Sequence, residues 1–263
     1  MAINNSLGTP ILFITIVSFL ILAKNVNSTS FTINNFESYQ NNVRLEGNAF
    51  ISDESVFLTS VIPKSAGRVS YAAPVHLWDA KTGNLAAFTS VFSFVVAPNG
   101  PGRFGDGIAF FIAPFNSNIP KNSSGGFLGL FNAETALNSY QNQIVAVEFD
   151  SFGGNPWDPV YPHVGIDVNS IASVTTEPWN IGSVANGLTA FAFVNYEPVT
   201  KNLSILVKYP EKYFVNGTSS SVSFVIDLRT VLPEWVRIGF SGATGQLVEL
   251  HKILSWTFKS SLY

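Results

Sequence analysis

No cysteine occurs in the 263 residues. That absence excludes disulfides, thiolate metal sites and cysteine nucleophiles together, and it leaves oxygen donors and three histidines for any metal. Charge is scarce as well: Asp, Glu, Lys and Arg make up 12% of the chain, against roughly 25% in ordinary soluble domains. With 14 basic and 17 acidic residues and a net charge of −3, the sequence offers no basic stripe for a phosphate backbone, which argues against DNA or RNA as a partner. Internal repeats, linker-like low-complexity tracts and charge blocks are missing too. A single domain over residues 29–263 is therefore expected.

Long apolar runs are also few. Ile11 to Ala23 (ILFITIVSFLILA) falls short of the roughly 20 residues that span a bilayer. It reads as the core of a signal peptide covering residues 1–28, with small Val26 and Ser28 placed for cleavage after Ser28. Passage through the secretory pathway follows, to an extracellular or vacuolar destination, with no membrane insertion of the mature chain. Asn122, Asn202 and Asn216 each begin an N-x-S/T sequon and are the candidate glycosylation sites.

Hydrophobic residues make up 46% of the chain and include 23 Phe. That is enough for a large core and excludes disorder of the whole chain. The apolar positions recur in short β-rich runs, not at helical spacing, so the chain is read as all-β. Ser90–Ala97, Gly107–Ala113, Gln143–Asp150, Asn202–Tyr209 and Val222–Leu228 are the expected strands. In one of them Leu203, Ile205 and Val207 alternate with Ser204, Leu206 and Lys208. Others are apolar on both faces and suit the middle layer of a sandwich. Asn99–Gly105 (NGPGRFG) and Asn216–Ser220 (NGTSS) read as loops.

The chemistry-bearing segment is VEFDSFGGNPWDPVYPHVGIDVN, Val147 to Asn169. Period 2 puts Glu148 and Asp150 on one face of a strand and Val147 and Phe149 on the other. Two neighbouring carboxylates repel unless a cation or a proton intervenes. Asp158 and His163 follow across a turn-rich loop that can fold back on the pair. Oxygen donors with one imidazole suit a Mn-type ion, and an all-oxygen neighbour site suits Ca²⁺. Spacing alone leaves a solvated strand edge and a polar loop equally open.

The E-F-D, N-P-W-D, P-H and G-I-D-V-N-S elements of this segment resemble the metal-binding loop of the legume lectins. The resemblance extends to Ser30–Phe36, Asp106 with Gly107–Pro114, Gly126–Phe131, Leu232–Ser241 and Leu254–Phe258. It implies a jelly-roll β-sandwich with a flat back sheet and a curved front sheet, and a non-catalytic, metal-dependent carbohydrate-binding protein. Glu148, Asp150, Asp158 and His163 would hold Mn²⁺ or another transition metal. Asp150, Asp158, Asn155 and the Phe152 carbonyl would hold Ca²⁺. The saccharide would meet Asp106 as acceptor, Asn155 as donor, the Gly126 N–H, the Phe152 ring and the loop N–H groups of Gln246 and Leu247. A cis peptide is implied between Gly105 and Asp106. One glycine, Gly153 or Gly154, is extra relative to the family's usual spacing. The short stretch Gly245–His251 resembles that of mannose/glucose binders. Glycans and glycoproteins are the implied partners, and a homodimer or homotetramer through the back sheet the implied assembly.

Two other readings compete. A lectin-like storage or defence protein would lack such ligands, and this sequence keeps them. A jelly-roll glycoside hydrolase needs E-x-D-x-E, and here Glu148 and Asp150 are followed by Phe152. His76, His163 and His251 have no G-x-S-x-G nucleophile elbow to serve.

Overall fold

The strand pattern follows directly from which side chains repel water. In Ala190–Glu197, Ala190, Ala192, Val194 and Tyr196 point inward while Phe191, Phe193, Asn195 and Glu197 point outward. Leu203, Ile205 and Val207 do the same one strand further on, as their alternation predicts. A strand with one wet face reads as period 2.

The computed structural model describes residues 28–179, 182, 187–210 and 219–262. Among these, sixteen strands occur in chain order: β1 (Ser28–Ile33), β2 (Val43–Gly47), β3 (Phe50–Ser52), β4 (Ser55–Phe57), β5 (Ala66–Tyr71), β6 (Val75–His76), β7 (Ala86–Pro98) and β8 (Gly107–Pro114), then β9 (Val145–Asp150), β10 (His163–Val168), β11 (Thr175–Pro178), β12 (Ala190–Glu197), β13 (Asn202–Lys208), β14 (Ser219–Val225), β15 (Trp235–Ala243) and β16 (Glu249–Leu262). They form two antiparallel eight-stranded sheets. One runs β14-β13-β12-β7-β16-β4-β3 with β1 on β16, and the other runs β11-β10-β9-β8-β15-β5-β2 with β6 on β15.

Between the sheets lies the main core, where Phe92, Phe94, Phe110, Phe149, Phe240, Phe258 and Trp256 are buried. Phe92 meets Phe240 edge-on at 4.7 Å, and Phe240 meets Trp256 at 4.8 Å. Such aromatic pairs supply burial and orientation together. β8 and β9 are buried on both faces, as their unbroken apolar runs foretell. The second cover is a layer of loop. Leu128, Leu130, Phe131, Ala136 and Ile144 pack on Phe111 and Ala146 from outside the sheet.

Several strand boundaries differ from the sequence reading, among them that of β7, which starts at Ala86 and not at Ser90. Val222–Leu228 is strand only to Val225, because the Asp227 side chain accepts the Arg229 N–H and caps a short 3-10 turn, Leu228–Thr230. Ser219 and Ser220 belong to β14, paired with Lys208 and Val207, although their composition suggests loop. The strand ending at Asp150 starts at Val145, since the side chain of Asn169 takes the Ile144 N–H.

Residues 1–27 of the proposed signal segment and the Asn216 sequon lie outside the described residues, while Ser28, the last residue of that segment, opens β1. Asn122 is exposed in a turn, and Asn202 opens β13 half-buried.

Candidate functional site

Antiparallel pairing gathers one end of the second sheet into a site. Gly107 at the start of β8 lies opposite Asp150 at the end of β9 and Ala243 at the end of β15, while His163 at the start of β10 also faces Asp150. The loops leaving these strands meet above them. They carry Asp106, Phe152–Asp158 and Gly245–Leu247, and the segment around Gly126 joins them.

The first half of the site is a buried charge cluster. Glu148, Asp150 and His163 are almost fully buried, and donor atoms of Glu148, Asp158 and His163 lie within 4.8 Å of one another. Glu148 Oε1 is 2.9 Å from His163 Nε2. Asp150 Oδ1 accepts the N–H groups of Phe152 and Gly153 at 2.7 and 2.9 Å.

Burial, followed by repulsion from Glu148 and Asp158, holds the Asp150 carboxyl well above the usual carboxylate range. Burial and Glu148 push Asp158 up to about 6. For His163 burial opposes the charged form, yet Glu148, Asp150 and Asp158 around it push it up to about 9. The chemistry of the cluster suits a cation, with three carboxylates that repel one another and draw positive charge onto the neighbouring imidazole. These residues therefore fit a transition ion beside an oxygen-bound Ca²⁺.

Asp167 is a further member that the sequence reading did not single out. It is fully buried on the same face of β10 as His163, and Ser173 Oγ bridges it to Glu148 at 2.7 and 2.5 Å. One hydroxyl proton cannot serve both carboxylates, so the second contact calls for a further proton or a cation nearby. Burial and Glu148 hold the Asp167 carboxyl well above its usual range. Period 2 from His163 was the signal available in the sequence.

The second half is a pocket of about 410 Å³ lined by Asp106, Gly126, Phe152, Asn155, Gln246 and Leu247, the whole set expected to meet a saccharide. Arg103 and Trp157 also line it, without having been singled out in the sequence. The Gly105–Asp106 peptide is cis.

Asp106 is buried, its carbonyl accepts the Ser151 N–H at 3.0 Å, and its Oδ2 has no hydrogen-bond partner. Burial, then the Glu249 carboxylate, push Asp106 up to about 7, with the Gly245 N–H pulling the other way. Beneath it runs a buried chain of bonds: Ser151 Oγ donates to Glu249 Oε1 at 2.7 Å, Glu249 pairs with His251 at 2.7 Å, and His251 Nδ1 meets Thr59 Oγ1 at 2.8 Å.

Asn155 Nδ2 donates to Asp158 Oδ2 at 2.7 Å, which ties the pocket to the charge cluster through one side chain. A Cβ on Gly126 would come within 2.3 Å of that amide nitrogen, so any side chain there must displace the Asn155 amide. Both glycines of the long 151–158 loop are in use. Gly153 has φ +54° and packs on the Tyr161 backbone, and Gly154 lies against the Phe152 ring. The extra residue is absorbed without displacing Asn155 from Asp158.

Comparison with known proteins matches the same features at chain scale. A family model described as legume lectin domain covers residues 28–263. The chain is 78% identical to Lectin 7 of Medicago truncatula over 99% of both chains, and 46% identical to Agglutinin-2 of Cladrastis kentukea, covering all of this chain and 94% of that one. Among solved structures it resembles lectin II from Ulex europaeus with a TM-score of 0.80 and 43% identity, over 88% of this chain and 98% of that one. With two antiparallel sheets, a loop-built pocket beside a carboxylate–histidine cluster and a family match along nearly the whole described chain, the protein belongs to the legume lectins, a family of carbohydrate-binding proteins with a jelly-roll fold.

Proposed function

We propose that the protein is a metal-dependent lectin of the secretory pathway, extracellular or vacuolar, with mannose/glucose-type preference. The observation that carries the saccharide reading is Asp106, a buried carboxylate whose Oδ2 lacks a partner at a pocket that also holds an aromatic ring. A pyranose offers hydroxyls to such an acceptor and an apolar face to such a ring. Asp106 accepts from the sugar hydroxyls, Asn155 and the N–H groups of Gly126, Gln246 and Leu247 supply donors, and Phe152 packs on the ring face.

In this reading Glu148, Asp150, Asp158 and His163 hold Mn²⁺ or a similar ion. Asp150, Asp158, Asn155 and the Phe152 carbonyl hold Ca²⁺. Bound cations would neutralise the buried carboxylates. This chain's own contribution is to orient Asn155 and Phe152, because both sit on the loop whose ends bind the ions.

A glycosidase needs two carboxyl groups flanking the scissile bond. Among the described residues Asp106 is the single carboxylate lining the pocket, which supports binding without catalysis. The mannose/glucose assignment rests on the short turn of residues 244–248 between β15 and β16. Galactose is the competing ligand, since lectin II from Ulex europaeus has been solved with it.

Assembly as a homodimer or homotetramer through the first sheet is supported by its outer face, where Phe193 and Leu206 are exposed opposite each other on β12 and β13. Glycan attachment at the sequons belongs to the same reading.

The deciding experiment is retention on immobilised mannoside and galactoside with and without a chelator at mildly acid pH. Mannoside retention that chelation eliminates is the expected result. Retention by a demonstrably metal-free sample would overturn the metal dependence, and elution by galactose but not by methyl mannoside would reverse the sugar assignment.

A further inference from the structure

One positive charge at the pocket has no counterpart. Arg103 lines the pocket with its guanidinium carbon over the face of the Phe152 ring, 5.0 Å from the centroid. Among the described residues it forms no ion pair and no hydrogen bond, whereas Arg44 pairs with Glu46 and Arg229 with Asp227. The side chain is exposed on a loop whose Gly100 and Gly102 have open space around them, so ring stacking is its one specific contact.

Among the described residues, Arg103 and Asp106 are the only ionisable ones lining the pocket, and they are unlike in burial: Asp106 is buried and Arg103 exposed. The two charges give the pocket a polarity. Hydroxyls are drawn to the acceptor at Asp106, and an anionic substituent is repelled from Asp106 and drawn to the fork of donors at Arg103.

A neutral sugar that packs on Phe152 must share the ring with the guanidinium and offers it no charge in return. A carboxylate or sulfate ester on the sugar, or on the next residue of a glycan, offers the guanidinium fork two charged acceptor oxygens. The exposed rim suits such a substituent because its charge stays in contact with water.

We propose that this pocket prefers acidic saccharides, with Arg103 as the residue that recognises their sulfate or carboxylate group. The inference rests on the reading of the pocket as a saccharide site.

The test uses the metal-loaded mature chain and titrates three probes that share one pyranose: the neutral methyl glycoside, its sulfate esters and the corresponding uronic acid. Tighter binding of an anionic probe is expected, by about fivefold at low salt as for one exposed charge pair, with the preference shrinking as salt is raised. Arg103→Gln should bring the anionic-to-neutral affinity ratio to about one, and Arg103→Lys should keep part of it, since charge remains and the fork is lost. The sulfate and uronate arms identify which anion the site takes.

An anionic-to-neutral ratio near one in the unsubstituted protein, or an undiminished preference in Arg103→Gln, would overturn the inference while leaving the saccharide reading intact. Failure to bind any of the glycosides would overturn that reading, and this inference with it.

Discussion

Asp106 and Gly126 show how much of the site depends on single side chains. Asp106→Asn conserves volume but turns one carboxylate oxygen into a donor, so at least one sugar hydroxyl loses its acceptor. Charge-assisted bonds are worth roughly 1.5–3 kcal/mol, and an unsatisfied partner adds a desolvation cost, so saccharide affinity should fall by about two orders of magnitude. Metal content should hold, since Glu148, Asp150, Asp158 and His163 do not use Asp106; calorimetry alongside metal analysis of the variant reads both, and retained affinity would reduce Asp106 to a turn former. Gly126→Ala acts differently. Its methyl must displace the Asn155 amide, which a Cβ would approach to 2.3 Å. Overpacking of this kind costs about 1–3 kcal/mol. Because Asn155 is a movable side chain, the loss should appear as about tenfold weaker sugar binding with little change in Tm. An unchanged Kd would separate Asn155 from the ligand. Arg103 went unnoticed in the sequence for a physical reason: an arginine in a glycine-rich loop is indistinguishable from a solubilising surface charge until its guanidinium is seen over Phe152.

At the scale of elements, β9 and β10 concentrate negative charge where the sheet ends. Asp106 and Asp158 are pushed up to about 7 and about 6, Asp150 and Asp167 are also raised, and His163 is raised to about 9. Raised values mean that the folded chain holds protons more tightly than the unfolded one, whose carboxyls titrate near 4 and whose imidazole titrates near 6.5. The sign is then fixed: stability of the metal-free protein falls as pH rises, through about 4 to 7 for the carboxyls and about 6.5 to 9 for the imidazole. Added Ca²⁺ and Mn²⁺ should oppose this trend, because cations favour the deprotonated donors. Thermal melts in chelator and in metal at pH 5, 7 and 8.5 test it, and a metal-free Tm that climbs with pH would refute it. The period-2 placement of Glu148 and Asp150 was legible because alternation is local. That His163 stands opposite Asp150 was not, since register depends on how a twelve-residue loop, 151–162, returns the chain.

For the whole molecule, association should depend on the outer face of the first sheet. Phe193 and Leu206 are register partners exposed there, with the Lys208 ammonium 5.2 Å from the Phe193 ring centroid. A Phe193→Asp, Leu206→Asp double variant should sediment as a monomer at micromolar concentration. It should keep its monosaccharide Kd and lose glycan cross-linking, which needs two sites on one particle. Unchanged sedimentation would place the interface elsewhere. Saccharide affinity should be indifferent to these changes because the pocket lies at the end of the other sheet.

The sequence by itself determined the all-β class and the two-faced burial of β8 and β9, because each depends on side-chain type and on a repeat of two residues. It determined the exclusions as well, since a chain without cysteine and with few cations has a short list of chemistries. Tertiary structure alone decided that Asp106 lies beside Ser151 through the Gly107–Asp150 pairing, and that Gln246 and Leu247 arrive through β15. It also decided that Asp167 and Ser173 close the charge cluster and that Glu249 and His251 underlie the pocket. The reason is distance along the chain. Contacts such as Gly107 with Asp150, Gly107 with Ala243 and Ser151 with Glu249, dozens to more than a hundred positions apart, are set by strand order and register, and those depend on which pairing of the sheets buries the shared aromatic core.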